Sequence, residues 1–315
     1  MSTAEQLGPA LAPIPTPCIG VCELDEASGL CKGCVRTGEE VAAWQEAGPD
    51  YKLRVWGELP PRRIAAGMNA YRLPWSADDI AAMIERTLRR RWGRWVLGAP
   101  GASASFEIGA DEDSDVFSRA DCVEAITARG ALRLMKHKKA IAVAFGEKAD
   151  ECGPDAIGLI LPRGRVDLPV ADSFTCCGAD VAAICGSYRG ASLYDVGYAP
   201  RRASRFCLRT DDVALASLFE KAEKQPGLDV IDAADAVIDE ARVHSIVETG
   251  LGRLEVFSQP LAGRAGGTCA ELASTTADTS LELPHGWTLP QVFAPCALFF
   301  PHSRRTTGAL LDGHF

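Results

Sequence analysis

The chain has 315 residues, of which 47% are apolar and 24% charged, with twelve cysteines and a formal charge of −9. That length exceeds the ~100 to 200 residues of one ordinary domain and predicts two folded units plus a small module, while the composition excludes collagen, coiled coil and a disordered chain. No apolar run approaches the ~18 residues of a membrane helix, and the net negative charge weighs against nonspecific nucleic-acid binding.

The opening MSTAEQLGPALAPIPTP has neither the basic nor the apolar segment of a signal peptide, so a cytoplasmic protein is expected. In that compartment cysteines are thiols and metal ligands rather than a disulfide framework. Residues 1–16 mix Pro, Ala and Gly without apolar periodicity and read as a mobile leader.

At Pro17 the character changes. PCIGVCELDEASGLCKGCVRT places Cys18, Cys22, Cys31 and Cys34 as C-x3-C-x8-C-x2-C. Four thiolates can complete the shell of zinc or hold the irons of an iron–sulfur cluster, and each short loop turns two sulfurs toward one centre at small entropic cost. Asp25, Ser28 and Gly29 are turn formers that can fold one pair back on the other. Gly20 and Gly33 let backbone amides approach the sulfurs, and Lys32 and Arg36 can offset their negative charge.

Thr37 and Glu40 have capping-box spacing and predict a short helix with Val41 and Trp44 on one face. A second helix is expected after Gly48-Pro49-Asp50, with Leu53 and Trp56 on its apolar face and Pro60-Pro61 as its stop. The set Pro17, Cys18, Cys22, Leu24, Asp25, Cys31, Gly33, Cys34, Arg36, Thr37, Glu40 and Trp44 resembles the YdhL-type family of predicted iron–sulfur proteins, a small bacterial domain of unknown function (number 1289). The resemblance covers residues 17–64. It implies an iron–sulfur cluster on Cys18, Cys22, Cys31 and Cys34, where spacing alone leaves zinc open.

Residues 50–94 carry ten Lys or Arg against five acids, a local reversal of the overall charge. Ser76 and Asp79 repeat the capping-box signature, and Ile80, Met83, Ile84 and Leu88 form a helical stripe, so residues 65–95 read as a basic amphipathic helix and linker. RTLRRRWGRW offers a docking surface for an acidic protein partner or for phosphate, with Trp92 and Trp95 free to stack. The favoured reading is a solvated helix end whose tryptophans enter the core.

Residues 96–315 alternate short strands and helices without a βαβ period, which predicts an α+β region, with a subdivision near 186–205. Strands are expected at WVLGAP, FEIGA, KAIAVAFG, AIGLILP, ASLYDVGY and SRFCLR, and a hairpin through Gly250 and Gly252 joining HSIVE to RLEVF. Helices are expected from Ser118 to near Gly130, over 178–187, after Thr210 as cap, and over 229–241.

Nucleophile-elbow, phosphate-loop, dinucleotide and zinc-protease motifs do not occur, so no catalytic residue is assigned. Cys176, Cys177, Cys185 and Cys207 form a weaker candidate thiolate set, as do Cys269, His285, Cys296 and His302, whose spacings match no zinc module. His137, within KHKK, reads as part of a solvated turn.

Overall fold

A computed structural model describes residues 14–99, 101–146, 153–166, 168–199, 202–238, 243–257, 268–272 and 293–301. Among them the chain is α+β, with helices set against two fully antiparallel sheets. The first sheet runs β1 (Ala70–Arg72), β7 (Ile141–Phe145), β8 (Ala156–Pro162), β15 (Phe293–Phe300), β2 (Arg94–Ala99), β3 (Ala102–Phe106) and β14 (Cys269–Leu272). The second runs β4 (Ser114–Ser118), β5 (Cys122–Thr127), β6 (Gly130–Met135), β13 (Gly252–Val256), β12 (Val243–Thr249), β11 (Ser204–Thr210), β10 (Ser192–Asp195) and β9 (Thr175–Ala179).

The sheets share one core. Leu97, Ala104, Phe106, Leu159 and Phe299 of the first pack with Leu134, Phe206, Leu208, Val247 and Leu254 of the second. The first sheet is also covered on its other face, where Val96, Ile141, Val143, Phe145, Ile160 and Leu298 gather around Ile19. A strand buried on both faces needs no polar alternation, which is why IAVAF and AIGLIL are continuous apolar runs.

The second sheet has a charged outer face. Arg205, Glu248 and Arg253 stand opposite one another in register across β11, β12 and β13, at 3.1 Å for Arg205–Glu248 and 2.7 Å for Glu248–Arg253. The row extends to Asp195 at one side, 2.7 Å from Arg205, and Glu124 bonds Arg133 at 2.6 Å at the other. Beside it Arg209 bonds Glu255 at 2.8 Å and Asp180 at 3.0 Å, and Arg253 also bonds Asp180. Cross-strand pairs of this kind set register, because a slip of one residue would turn every charge into the apolar core.

The helices lie around this frame. α1 (Gly38–Ala43) and α3 (Ala77–Arg89) both carry the expected capping boxes, at Thr37/Glu40 and Ser76/Asp79. Ile80, Met83, Ile84 and Leu88 of α3 enter the shared core. The basic end follows the solvated reading: Trp95 lies in β2 and donates to Thr87 Oγ1 at 3.1 Å, and Trp92 and Trp95 both pack on Phe299. No described helix is long and apolar enough to cross a membrane.

Several expectations are corrected. Pro60 and Pro61 do not stop α2 (Pro49–Ala65), which passes through them. Burial of Val55 and Leu59 and the bonds of Arg62 to Glu40 at 2.7 Å and Glu58 at 2.5 Å hold the helix across the missing amide hydrogens. Its buried face is therefore Val55–Leu59–Arg63, and Leu53 is exposed, as is Val41 of α1. The helix expected from Ser118 is the β4–β5 hairpin: Val123 and Ala125 face the core while Glu124 bonds Arg119 and Arg133, a period of two.

Residues 178–187 are not helical; β9 ends at Ala179 and a short 3-10 turn spans Gly186–Tyr188. The strand read at FEIGA lies earlier, as β3. The cap of α4 (Val213–Lys221) is Asp212, whose carboxylate accepts from Ala214 and Leu215, whereas Thr210 closes β11. α5 (Gly227–Ile238) and the β12–β13 hairpin lie where expected.

Two outcomes follow from the charged elements. Arg253→Met removes the cation shared by Glu248, Glu255 and Asp180, each of which keeps one other arginine, and should lower unfolding free energy by about 1 to 3 kcal/mol in urea denaturation; no measurable loss contradicts the role given to the row. Glu112 accepts a two-point bond from Arg129 at 2.6 and 3.0 Å, and that guanidinium lowers its carboxyl from 4.5 to about 2. A lowered carboxyl contributes stability above its unfolded value and loses it as pH falls, so the melting temperature should fall between pH 4.5 and 2 less steeply in Glu112→Gln than in the parent chain.

Candidate metal centre

The four-cysteine stretch folds as a small hairpin. Isolated bridges pair Leu24 with Cys31 and Leu30 with Thr37. The expected turn closes it, with Ser28 N and Oγ donating to Asp25 Oδ1 at 2.8 and 2.7 Å and Gly29 at φ +70°. Lys32 N donates to Glu23 O, and Cys31 N to Arg36 O, each at 2.8 Å, so the Cys31–Cys34 loop lies beside the Cys18–Cys22 loop. Thr37 caps α1 and thereby sets the direction in which the chain leaves Cys34.

Within each loop the two thiols approach one another. Cys22 lies near enough to Cys18, and Cys34 to Cys31, to help hold the thiols of Cys18 and Cys31 in the neutral form. Gly20 N donates to Cys18 Sγ at 3.2 Å, at a glycine with φ +82°. Cys31 Sγ is turned to Val21 O at 3.1 Å, and Arg36 Nε donates to Cys34 Sγ at 3.3 Å. Burial pushes the Cys18 and Cys31 thiols up, so both are neutral in the metal-free chain.

In this arrangement no three His, Cys, Asp or Glu side chains among the described residues surround a single point. The pairs are adjacent, and gathering all four sulfurs on one ion requires rotation of thiols such as Cys31, now spent on a backbone carbonyl. The donor set itself suits a thiophilic metal, and the surroundings suit the net negative charge of its thiolate complex. Arg36 is buried with Nη1 lacking an acceptor. Arg72 of β1 donates to Cys18 O at 3.3 Å, and its Nε is buried without an acceptor. Burial pulls the Arg72 guanidinium below its ordinary value, and the nearby Cys18 charge works against that.

Cys31 and Cys34 are 3% exposed whereas Cys22 is open to solvent, so the cysteine stretch lies at the protein surface. The loop between Cys18 and Cys22 also anchors the module: Ile19 is buried against Val96, Ile141 and Phe145 on the outer face of the first sheet, with Val21 beside it. Burial of one such side chain contributes ~1.5 to 3 kcal/mol. β1 pairs with β7 and adds the module's following segment to that sheet.

Of the charges expected near the sulfurs, Arg36 is there and Lys32 instead bonds Glu23 at the surface. Arg72 carried no local signal, because only the β1–β7 pairing brings it to Cys18. Among the described residues neither weaker set gathers three ligands around one point. Cys176 and Cys177 are exposed on β9, Cys177 accepting from Arg205 Nη2 at 2.9 Å, while Cys207 is enclosed with Leu193 and Ile246. Cys185 lies 3.1 Å from Ser187 Oγ. Cys269 lies 3.0 Å from Ser105 Oγ, and burial pushes the Cys296 thiol up to about 12; His285 and His302 lie outside the described residues.

An open cleft of about 470 Å³ lies over the start of α4, lined by Tyr188, Arg189, Thr210, Asp212 and Glu220. Asp212 is already committed to capping that helix, and the lining shows no paired nucleophile and base.

The chain belongs to a family of unknown function (DUF6925), whose model matches residues 79–310. Residues 16–63 match a second model, a protein of unknown function (DUF1289), so the N-terminal segment singled out by its cysteines is a family domain in its own right. Significant matches are found with no curated protein and no solved structure.

At Gly33 the second loop lies directly against the first. A Cβ there would meet Val21 O at 2.6 Å and Val21 Cβ at 2.7 Å, both too near the backbone to move cheaply. Gly33→Ala should therefore separate the thiol pairs, lowering stability by about 1 to 3 kcal/mol and bound metal per chain together. Unchanged metal content in a stable Gly33→Ala protein would contradict the close approach as the basis of the site.

Proposed function

We propose that residues 17–64 hold a metal centre on Cys18, Cys22, Cys31 and Cys34, an iron–sulfur cluster, which serves the attached region as an electron-transfer or redox-sensing element. The observation that carries the reading is the apposition of two thiol pairs beside Arg36 and Arg72, two half-buried or buried cations with unused N–H donors. When bound, a cluster supplies one-electron chemistry, and its potential follows hydrogen bonds to sulfur and solvent exposure.

The chain's own groups fit that role. Gly20 N and Arg36 Nε already aim at sulfur, and neutral Cys18 and Cys31 would release their protons on ligation. The exposure of Cys22 brings one edge of the centre within reach of a redox partner, and Ile19 ties the loop to the larger sheet.

A second reading has the same thiolates holding structural zinc, with the basic end of α3 engaging an acidic protein. It draws on Arg89 and Arg90, exposed at the end of that helix, although Arg89 is partly answered by Glu85 at 2.8 Å. Visible absorption of anaerobically purified protein, with iron, sulfide and zinc analysis, separates the two. The iron–sulfur reading predicts a band near ~400 nm with iron and sulfide, lost in Cys31→Ser/Cys34→Ser. Colourless protein carrying one zinc supports the second reading, since tetrathiolate zinc has no visible chromophore. Protein without iron or zinc contradicts both.

A further inference from the structure

We infer that Arg36 and Arg72 are positioning residues of the thiolate centre, supplying its compensating charge and hydrogen bonds; this rests on the reading of the four cysteines as one metal site. The argument begins from what these two arginines lack. Arg62, Arg205, Arg209 and Arg253 are each matched by carboxylates. Arg36 and Arg72 make no ion pair with a described residue, although Arg36 is only 3% exposed.

A buried cation without an anion is costly, and an N–H left without an acceptor adds to that cost. Arg36 Nη1 and Arg72 Nε are two such donors, and each guanidinium already touches the module. Arg36 donates through Nε to Cys34 Sγ at 3.3 Å, and Arg72 through Nη1 to the carbonyl of Cys18 at 3.3 Å. Arg36 is further fixed over the Trp44 ring, 4.9 Å from its centroid. Four thiolates around a divalent zinc carry two net negative charges, so two guanidiniums balance them. The uncompensated arginines and the uncompensated thiolates answer one another.

Charge removed from beside a metal centre weakens the anionic ligand set and disfavours the reduced state, which holds one more electron. A structural role predicts neither. The test compares the full chain with R36Q, R36K, R72Q and R72K by chelator competition, midpoint potential where iron is bound, and melting of the metal-free forms. We expect R36Q and R72Q each to bind metal about 10 to 100-fold more weakly and at a more negative potential, with most of the loss recovered in the lysine variants. Metal-free R36Q and R72Q should melt no lower than the parent.

If both glutamine variants hold metal as tightly and at the same potential as the parent, the inference is overturned while the site reading stands. A parent chain that binds no metal overturns the site reading itself. If metal-free R36Q or R72Q fails to fold, that arginine is a fold residue and the inference is overturned for it, the other retaining its own test.

Discussion

The approach of Gly33 to Val21 is the contact on which the rest of the N-terminal arrangement depends. A hairpin with its turn at Asp25–Gly29 brings the chain back on itself, and only a residue without a side chain lets the second loop lie against the first. Two thiol pairs separated by thirteen positions of sequence, Cys18 to Cys31, are thereby placed side by side. The same Val21, with Ile19 two residues before it, packs on the outer apolar surface of the first sheet. Cysteine loop and docking element are one piece of chain, so a change at the sulfurs is mechanically close to the sheet.

That sheet is unusual in needing cover on both faces. Its inner face meets the second sheet, and its outer face is closed in part by Ile19. The second sheet handles its outer face with cross-strand ion pairs running from Asp195 through Arg205, Glu248 and Arg253. In that row every cation has its carboxylates. Arg36 and Arg72 break the pattern, and they do so beside the cysteines, where Arg36 donates to Cys34 Sγ and Arg72 to Cys18 O and neither has a carboxylate among the described residues.

What could be read from the residues alone divides along physical lines. Capping boxes at Thr37/Glu40 and Ser76/Asp79 are local in sequence and hold in the structure, as do the apolar strand runs and the Gly250–Gly252 hairpin. The misreadings arose where long-range contacts override local signals. Pro60 and Pro61 sit inside a helix that Leu59 and Arg62 hold in place, and Ser118-x-x-Asp121 imitates a cap in a hairpin whose period is two. The N-terminal domain is legible because four cysteines crowd into one short stretch, the stretch that a family model also matches over residues 16–63. Arg72 is not, since its place at the site is decided by a strand pairing far along the chain.

The central claim is that all four cysteines serve one centre, and Cys22 tests it most directly because it is the exposed member of the set. Mass-spectrometric mapping of alkylation, on the anaerobic metal-bound chain and on the same chain after chelation, reads its thiol individually. The account predicts that Cys22 is protected while metal is bound and becomes reactive when the metal is removed. Alkylation of Cys22 at the rate of a free exposed thiol, with metal still bound, would contradict it.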